Sequence, residues 1–331
     1  MDVKPSTIRV LGLRTRVLVA TPSDVSVGTQ KPSDVSAGTK APSDGAVGAK
    51  APSDNAVLLI HGVGGWAENW REVMAPIAAS GRTAIAVDLP GFGESEAPGR
   101  VAHFGPRDAY YPKFVLALLD GLGVDRAHVV GSSMGGAVAY MAAVSAPERV
   151  RSLTLVASGG LGRHIAFFLR VATLPGMITL AKLFGSPRQG PAVLRTCFYD
   201  AARVPKTLHQ ESERYGLATY PEFVRALRSG VTIRGVRGDL HRHWMGRASA
   251  YDAPVLAVWG REDAVVPIHH LAGAKEVFPQ AEVRIIERCG HLPMIERTDE
   301  FLDALLPFLA RAEQSTVRRV PRQEAQLTLN A

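Results

Sequence analysis

Short aliphatic and β-branched runs alternate along most of this chain with longer stretches of helical periodicity. Runs at Thr7–Leu11, Thr15–Ala20, Val57–Ile60, Thr83–Val87, Ala127–Val130, Val150–Val156, Pro254–Trp259 and Glu282–Ile286 read as strands. Helical patterns fall near Trp70–Ser80, Arg107–Leu122, Met134–Ser145, Ile268–Phe278 and Asp299–Arg311. Asn69 and Glu72 have the spacing of a capping box ahead of the first helix, and Pro147 marks the exit of the third. Strands that alternate with helices in this way predict an α/β class and a mostly parallel, doubly wound sheet. Ligands in such sheets sit at the carboxyl ends of the strands.

Two segments break the alternation. Between residues 22 and 54 the tripeptide Pro-Ser-Asp recurs every ten residues, starting at Pro22, Pro32, Pro42 and Pro52. That period is too short and too polar to bury a core, so it reads as a spacer. Leu161–Ala250 has no clear strand run and reads as several helices, with apolar residues at Ile165–Leu169, Leu174–Leu183 and Phe223–Leu227. The chain therefore divides into an N-terminal β-hairpin (1–21), a repeat insertion (22–56), a first core part (57–160), a helical lid inserted after the sixth strand (161–250), a second core part (251–312) and a flexible tail (313–331).

Composition narrows the class. The 331 residues are 46% apolar, which suits one large domain with a buried core. Two cysteines, Cys197 and Cys289, supply neither a disulfide framework nor metal-ligand spacing, and Cys289 reads as a packing residue. Arg9, Arg14 and Arg16 interrupt the apolar N-terminal runs, which argues against a signal peptide. A reduced, cytoplasmic setting is the expectation. The net charge of +7 is concentrated in Leu161–Ala250, where 14 Lys and Arg face 5 Asp and Glu. That excess reads either as solvated helix faces or as attraction for an anionic substrate or a membrane surface. No nucleic-acid-binding module or basic stripe with interleaved aromatics is present in the sequence, so no nucleic-acid partner is expected.

The chemistry is carried by Gly131-Ser132-Ser133-Met134-Gly135. It follows an apolar run and opens a small-residue helix, the strand–turn–helix setting of a nucleophile elbow with Ser133 at its tip. Gly131 and Gly135 leave room where strand and helix crowd. The turn aims the Ser133 hydroxyl into a cleft and the Met134 N–H toward a developing oxyanion. A serine hydroxyl needs a base, and a base needs an orienting acid. Cys289-Gly290-His291 follows the last strand and supplies His291; Gly260-Arg261-Glu262-Asp263 supplies Asp263, with Glu262 as the rival acid. The loop His61-Gly62-Val63-Gly64-Gly65 follows the central strand.

With the loop Asp88-Leu89-Pro90-Gly91-Phe92-Gly93-Glu94-Ser95, these landmarks make Val57–Ala310 resemble the α/β-hydrolase superfamily, whose chain order is Ser, Asp, His. The resemblance implies a catalytic triad of Ser133, His291 and Asp263 and an oxyanion hole from the Val63 and Met134 N–H groups. His61 is then structural. Gly62, Trp66, Ser132 and Leu292 are the candidate pocket residues, and Trp70 and Met134 are further candidates for its lining. No cofactor or metal is implied. An aspartate at the elbow would mark epoxide hydrolases or dehalogenases, so Ser133 excludes both.

The capped branch includes esterases and lipases, and Ser133–Gly136, Ser158–Gly162 and Trp259–Arg261 also resemble meta-cleavage-product hydrolases, which cut carbon–carbon bonds. That branch has Gly-Pro-Gly where Val63-Gly64-Gly65 stands here, Asn at Gly93 and Trp at Leu292. The expectation is a serine carboxylesterase or lipase acting on a small ester or lipid-like molecule. The alternatives are C–C or lactone hydrolysis, acyl transfer or thioester cleavage, and a non-catalytic ligand receptor. A C–C hydrolase needs an acid-binding arginine in the lid, for which Arg163, Arg170 and Arg188 are the candidates.

Overall fold

The computed structural model describes residues 3–22, 24, 55–106 and 108–315. The decapeptide repeat, apart from residues 22 and 24, and the tail beyond Ser315 lie outside the described residues. Strands β1 (Lys4–Val10), β2 (Leu13–Ala20), β3 (Ala56–Ile60), β4 (Thr83–Val87), β5 (Ala127–Ser132) and β6 (Val150–Val156) lead to a helical insertion. Strands β9 (Val255–Gly260) and β10 (Glu282–Ile286) follow it. These eight form one sheet in the order β1-β2-β4-β3-β5-β6-β9-β10. β1 and β2 pair antiparallel and β2 meets β4 antiparallel, whereas every later pair is parallel.

Alternation along the strands splits the core into two layers. On β3, Ala56, Leu58 and Ile60 join one buried cluster, and Val57 and Leu59 join the other. On β9, Val255, Ala257 and Trp259 face the first cluster, and Leu256 and Val258 the second. Both faces are apolar because helices cover both, as a parallel sheet requires. Helices α1 (Arg71–Ala79), α2 (Tyr110–Gly121) and α3 (Met134–Ser145) belong to the first half. α3 is buried on every side up to Val144, which explains its uniformly small, apolar sequence.

The insertion between β6 and β9 contains α4 (Phe167–Val171), α5 (Met177–Phe184), α6 (Gln189–Arg195), α7 (Lys206–Gly216), α8 (Tyr220–Gly230) and α9 (Gly238–Met245). It also contains an antiparallel hairpin, β7 (Val231–Thr232) with β8 (Gly235–Val236), so the strand-free reading of this region needs correction. Two residues per strand are too few to leave a periodic signal. The hairpin is anchored by the Val236 N–H, which donates to the Arg163 carbonyl at 3.0 Å. After β9 come α10 (His270–Val277), α11 (Pro293–Glu296) and α12 (Thr298–Gln314).

Two further boundaries differ from the sequence expectation. Asn69 and Glu72 do not form a capping box. A 3-10 turn at Ala67–Trp70 starts the helix one turn early, and the Asn69 Oδ1 accepts the Trp66 N–H at 2.7 Å. The tail expected from residue 313 begins instead as helix, because Glu313 is drawn in by buried Arg82. Arg82 Nε and Nη2 donate to the two Glu313 oxygens at 2.7 and 2.9 Å.

Backbone packs closely against backbone where α3 meets the sheet. A Cβ on Gly135 would stand 2.3 Å from the Ile60 carbonyl oxygen and 2.4 Å from that of His61. A Cβ on Gly131 would stand 2.2 Å from the Gly135 oxygen. Backbone cannot yield as a side chain can, so Gly135→Ala is expected to cost about 3 kcal/mol or more. Urea unfolding checks this, and a loss under about 1 kcal/mol would contradict the close approach.

The core also makes stability depend on pH. His128 is buried in β5, its Nδ1 is 2.7 Å from Ser152 Oγ, and burial with help from Arg151, Arg82 and Arg126 pushes its pKa down to about 3. His270, depressed mainly by burial, falls to about 4. Unfolding frees both to take up protons near their ordinary value of 6.5. The unfolded chain then binds more protons, so stability falls as pH drops below about 6.5. His128→Asn is expected to flatten the fall in melting temperature between pH 6.5 and 4, and an unchanged slope would count against His128 as a source.

Candidate active site

Ser133 sits between the end of β5 and the start of α3 with φ +56° and ψ −119°. That is a costly conformation for a residue with a Cβ, and it persists only where neighbours impose it. The Ser133 N–H donates to the Val156 carbonyl at 2.9 Å. Its own carbonyl accepts from Gly136, Ala137 and Gly159 at 3.0, 3.3 and 2.9 Å. The hydroxyl has no hydrogen-bond partner among the described residues. A Cβ on Gly62 would touch the Ser133 Cβ at 2.9 Å, so the glycine lets the loop after β3 lie directly against the nucleophile position.

Asp263 follows β9, and its side chain is withdrawn from solvent. Its Oδ1 accepts the Val265 and Val266 N–H groups at 2.8 and 2.9 Å, and its Oδ2 lies 2.8 Å from His291 Nδ1. With the acid on Nδ1, that nitrogen carries the proton and Nε2 is left as the acceptor. Glu262 is occupied elsewhere: it receives the Cys289 N–H on Oε2 at 2.9 Å, while its own N–H donates to the Cys289 carbonyl. The neighbouring acids thus divide the work, one on the ring and one on the loop that carries it.

The sequence reading missed Glu296. This buried carboxylate accepts the Gly290 N–H at 2.7 Å, the Tyr199 N–H at 3.1 Å and the Asp200 N–H at 2.7 Å. The His291 N–H meanwhile donates to the Cys197 carbonyl at 2.7 Å. The loop bearing His291 is therefore tied to the segment after α6. An acid five residues beyond the histidine was the available signal, but nothing in spacing alone distinguishes it from a helix-surface glutamate.

His61 has a structural role. Its Nε2 accepts the Leu89 N–H at 2.9 Å, so Nδ1 carries the proton and donates to the Gly62 carbonyl at 2.7 Å. Burial lowers its pKa and keeps it neutral. Asp88 holds the next loop: its carboxylate accepts N–H groups from Ala67 and Glu94 at 2.7 and 2.9 Å and pairs with Arg16 at 3.2 Å.

Two cavities meet at Ser133 and Val63. The larger, about 760 Å³, is lined by Gly62, Trp66, His291 and Leu292 together with apolar side chains of α4, α5, α6 and α8. The smaller, about 90 Å³, is bordered by Met134 and closed by Leu227, Leu240 and Trp244. Ser132 lies in neither: it pairs with Val156 in the sheet, and its side chain is buried beside the strand, so its assignment to the pocket is corrected. Trp70 is likewise in the core, 6.4 Å from the Phe301 ring. Among the described residues no Lys, Arg, Asp or Glu lines either cavity, and Arg163, Arg170 and Arg188 all lie outside them. Cys197 does border the larger one, but burial pushes its thiol up to about 12, which leaves it unreactive.

Known proteins resemble this chain in sequence and fold. The chain is 34% identical over 256 residues to the dihydrolipoyllysine-residue acetyltransferase component of the acetoin cleaving system of Pseudomonas putida, covering 77% of this chain and 63% of that protein. It thus spans less than two thirds of that relative's length. It is 31% identical over 261 residues to the 2-hydroxy-6-oxo-6-phenylhexa-2,4-dienoate hydrolase of Burkholderia cepacia, covering 77% of this chain and 87% of that one. A bacterial membrane phospholipase A shares the fold with a TM-score of 0.69 at 22% identity, over 95% of this chain and 87% of that chain. The family model for the alpha/beta hydrolase fold matches residues 55–298. Sheet order, elbow and family match agree, and the chain belongs to the α/β-hydrolase fold family.

Proposed function

We propose that the protein is a serine hydrolase that cleaves carboxylic esters of apolar molecules through an acyl-enzyme. The observation that carries this reading is an uncharged cleft of about 760 Å³ bordered by Ser133 and His291. His291 Nε2 takes the Ser133 proton as Oγ attacks the ester carbonyl, and Asp263 stabilises the resulting imidazolium. The Val63 and Met134 N–H groups receive the oxyanion; neither donates to another backbone carbonyl among the described loop and cap hydrogen bonds. His291 then protonates the departing alcohol, and water repeats the sequence on the acyl-enzyme.

The relative from Burkholderia cepacia acts on a dienoate, a carboxylate-bearing substrate. C–C cleavage of such an anion asks for a cation in the cleft. The absence of Lys and Arg from both cavity linings favours a neutral ester instead. On this reading the two cavities take the two arms of the ester. The leaving oxygen must face His291, on the side of the larger cavity, so the acyl group faces the smaller one beside Met134.

Hydrolysis of a p-nitrophenyl ester series tests this reading. Wild type is expected to prefer short acyl chains, acetyl to hexanoyl, over palmitoyl. Ser133→Ala is expected to lower kcat by roughly 10³-fold or more. A folded wild type inactive on every ester but active on a dienoate would overturn the proposal. Glu296→Gln replaces one of the accepting oxygens with an amide donor facing N–H groups. It is expected to lower kcat about 10-fold or more in the same ester series, because it disturbs the loop of His291.

A further inference from the structure

The lid carries an apolar rim that the ester reading leaves unused. Of ten exposed large apolar side chains among the described residues, seven fall between Phe167 and Tyr199. Helix α5 has no buried residue. Leu180, Leu183 and Phe184 stand at i, i+3 and i+4 along it, so they form one stripe, and Leu183 and Phe184 are 70% and 73% exposed. Phe167, Leu180, Phe184 and Val193 are both exposed and part of the cleft wall, so the rim is continuous with the cavity above Ser133.

The segment that forms this rim carries charge of one sign. Residues 161–199 contain Arg163, Arg170, Lys182, Arg188 and Arg195 and no acidic residue. None of these five cations has an ion-pair partner among the described residues. Some cations of the sheet domain do pair, as Arg149 with Asp120 at 2.7 Å and Arg261 with Glu287 at 2.6 Å, whereas exposed Arg9, Arg284 and Arg288 have no ion pair among the described residues. Apolar side chains standing in water beside unpaired cations are costly for a surface that meets only water. They match a surface that offers acyl chains beneath anionic headgroups.

We infer that the face formed by α4, α5 and α6 docks on an anionic lipid surface, with Leu183 and Phe184 entering the acyl boundary and the five cations meeting headgroups. The contact lies in the interface plane, since no helix among the described residues is long and apolar enough to cross a membrane. Docking places the mouth of the cleft against the lipid, so an apolar ester passes from the surface to Ser133 without crossing water. This last consequence rests on the ester reading; the docking itself does not.

Vesicle co-sedimentation of the full chain tests the docking. The probes are pure phosphatidylcholine vesicles and phosphatidylcholine vesicles containing phosphatidylglycerol. The expected result is at least ten-fold tighter binding to the anionic vesicles, weakened by salt. The variant Lys182→Glu/Leu183→Ser/Arg188→Glu changes no residue of the cleft wall. It is expected to lose binding at least ten-fold while keeping wild-type hydrolysis of a short water-soluble ester. Equal binding to both vesicles, no binding, or undiminished binding by the variant would overturn the inference. So would a lipid-free dimer that the same variant dissolves, because a second copy would then cover the rim. If hydrolysis fails and anionic binding persists, the ester reading falls and the docking stands.

Discussion

The structure turns on the contact between the N-terminus of α3 and the end of β3. Gly135 brings helix backbone to within a missing Cβ of the Ile60 and His61 carbonyls, and Gly131 clears the same space from β5. With strand and helix this close, the intervening Ser133 has no room for a relaxed turn and is held at φ +56°. The strain is repaid by the hydrogen bonds its backbone makes to Val156, Gly136, Ala137 and Gly159. The same approach sets Gly62 against Ser133, so the loop bearing Val63 lies beside that serine. A looser contact would relax the serine and separate it from the loop together.

Loops at the carboxyl ends of the strands are then fixed by buried carboxylates that accept backbone N–H groups. Asp88 gathers the loops after β3 and β4, with Arg16 compensating its charge. Glu262 holds Cys289, and Glu296 holds Gly290 together with Tyr199 and Asp200. Charged acceptors make stronger hydrogen bonds than neutral ones, and several donors on one carboxylate fix a loop in more than one direction. Asp263 follows the same pattern: two backbone N–H groups hold one oxygen, leaving the other aligned with His291. The imidazole is thereby oriented by groups that need not move during turnover.

How legible each part was in the sequence follows from how local its cause is. β4, β6 and β10 appear at the boundaries their runs imply, and the others within a few residues; burial on both faces writes a continuous apolar run into β3, β4 and β9, whereas the edge strand β10 is exposed over Glu282–Arg284 and is bounded by its flanking turns. The turn at Ser133 and the pairing of Asp263 with His291 were legible because turn chemistry and chain order are both sequence properties. Glu296 was not, because its three partners come from two segments that only folding brings together. Ser132 and Trp70 were misplaced for a related reason. Each is next to a site residue in sequence, but strand pairing and helix rotation turn them into the core. The charge excess of residues 161–250 was legible as a number, and the unpaired cations at the rim only as a structure.

The division between sheet and helical insertion also divides the cleft. Ser133, Asp263 and His291 follow strand ends and are held by backbone hydrogen bonds. The walls of the larger cavity come mostly from α4, α5, α6 and α8 and are apolar, so they select by shape and transfer free energy rather than by charge. The cations of this insertion stand outside the cavity, so the cleft interior is an uncharged medium in which hydrogen bonds to a charge are stronger than in water. The Glu296 and His291 bonds to residues 197–200 tie the two parts together, so displacement of the lid at that point also displaces the base.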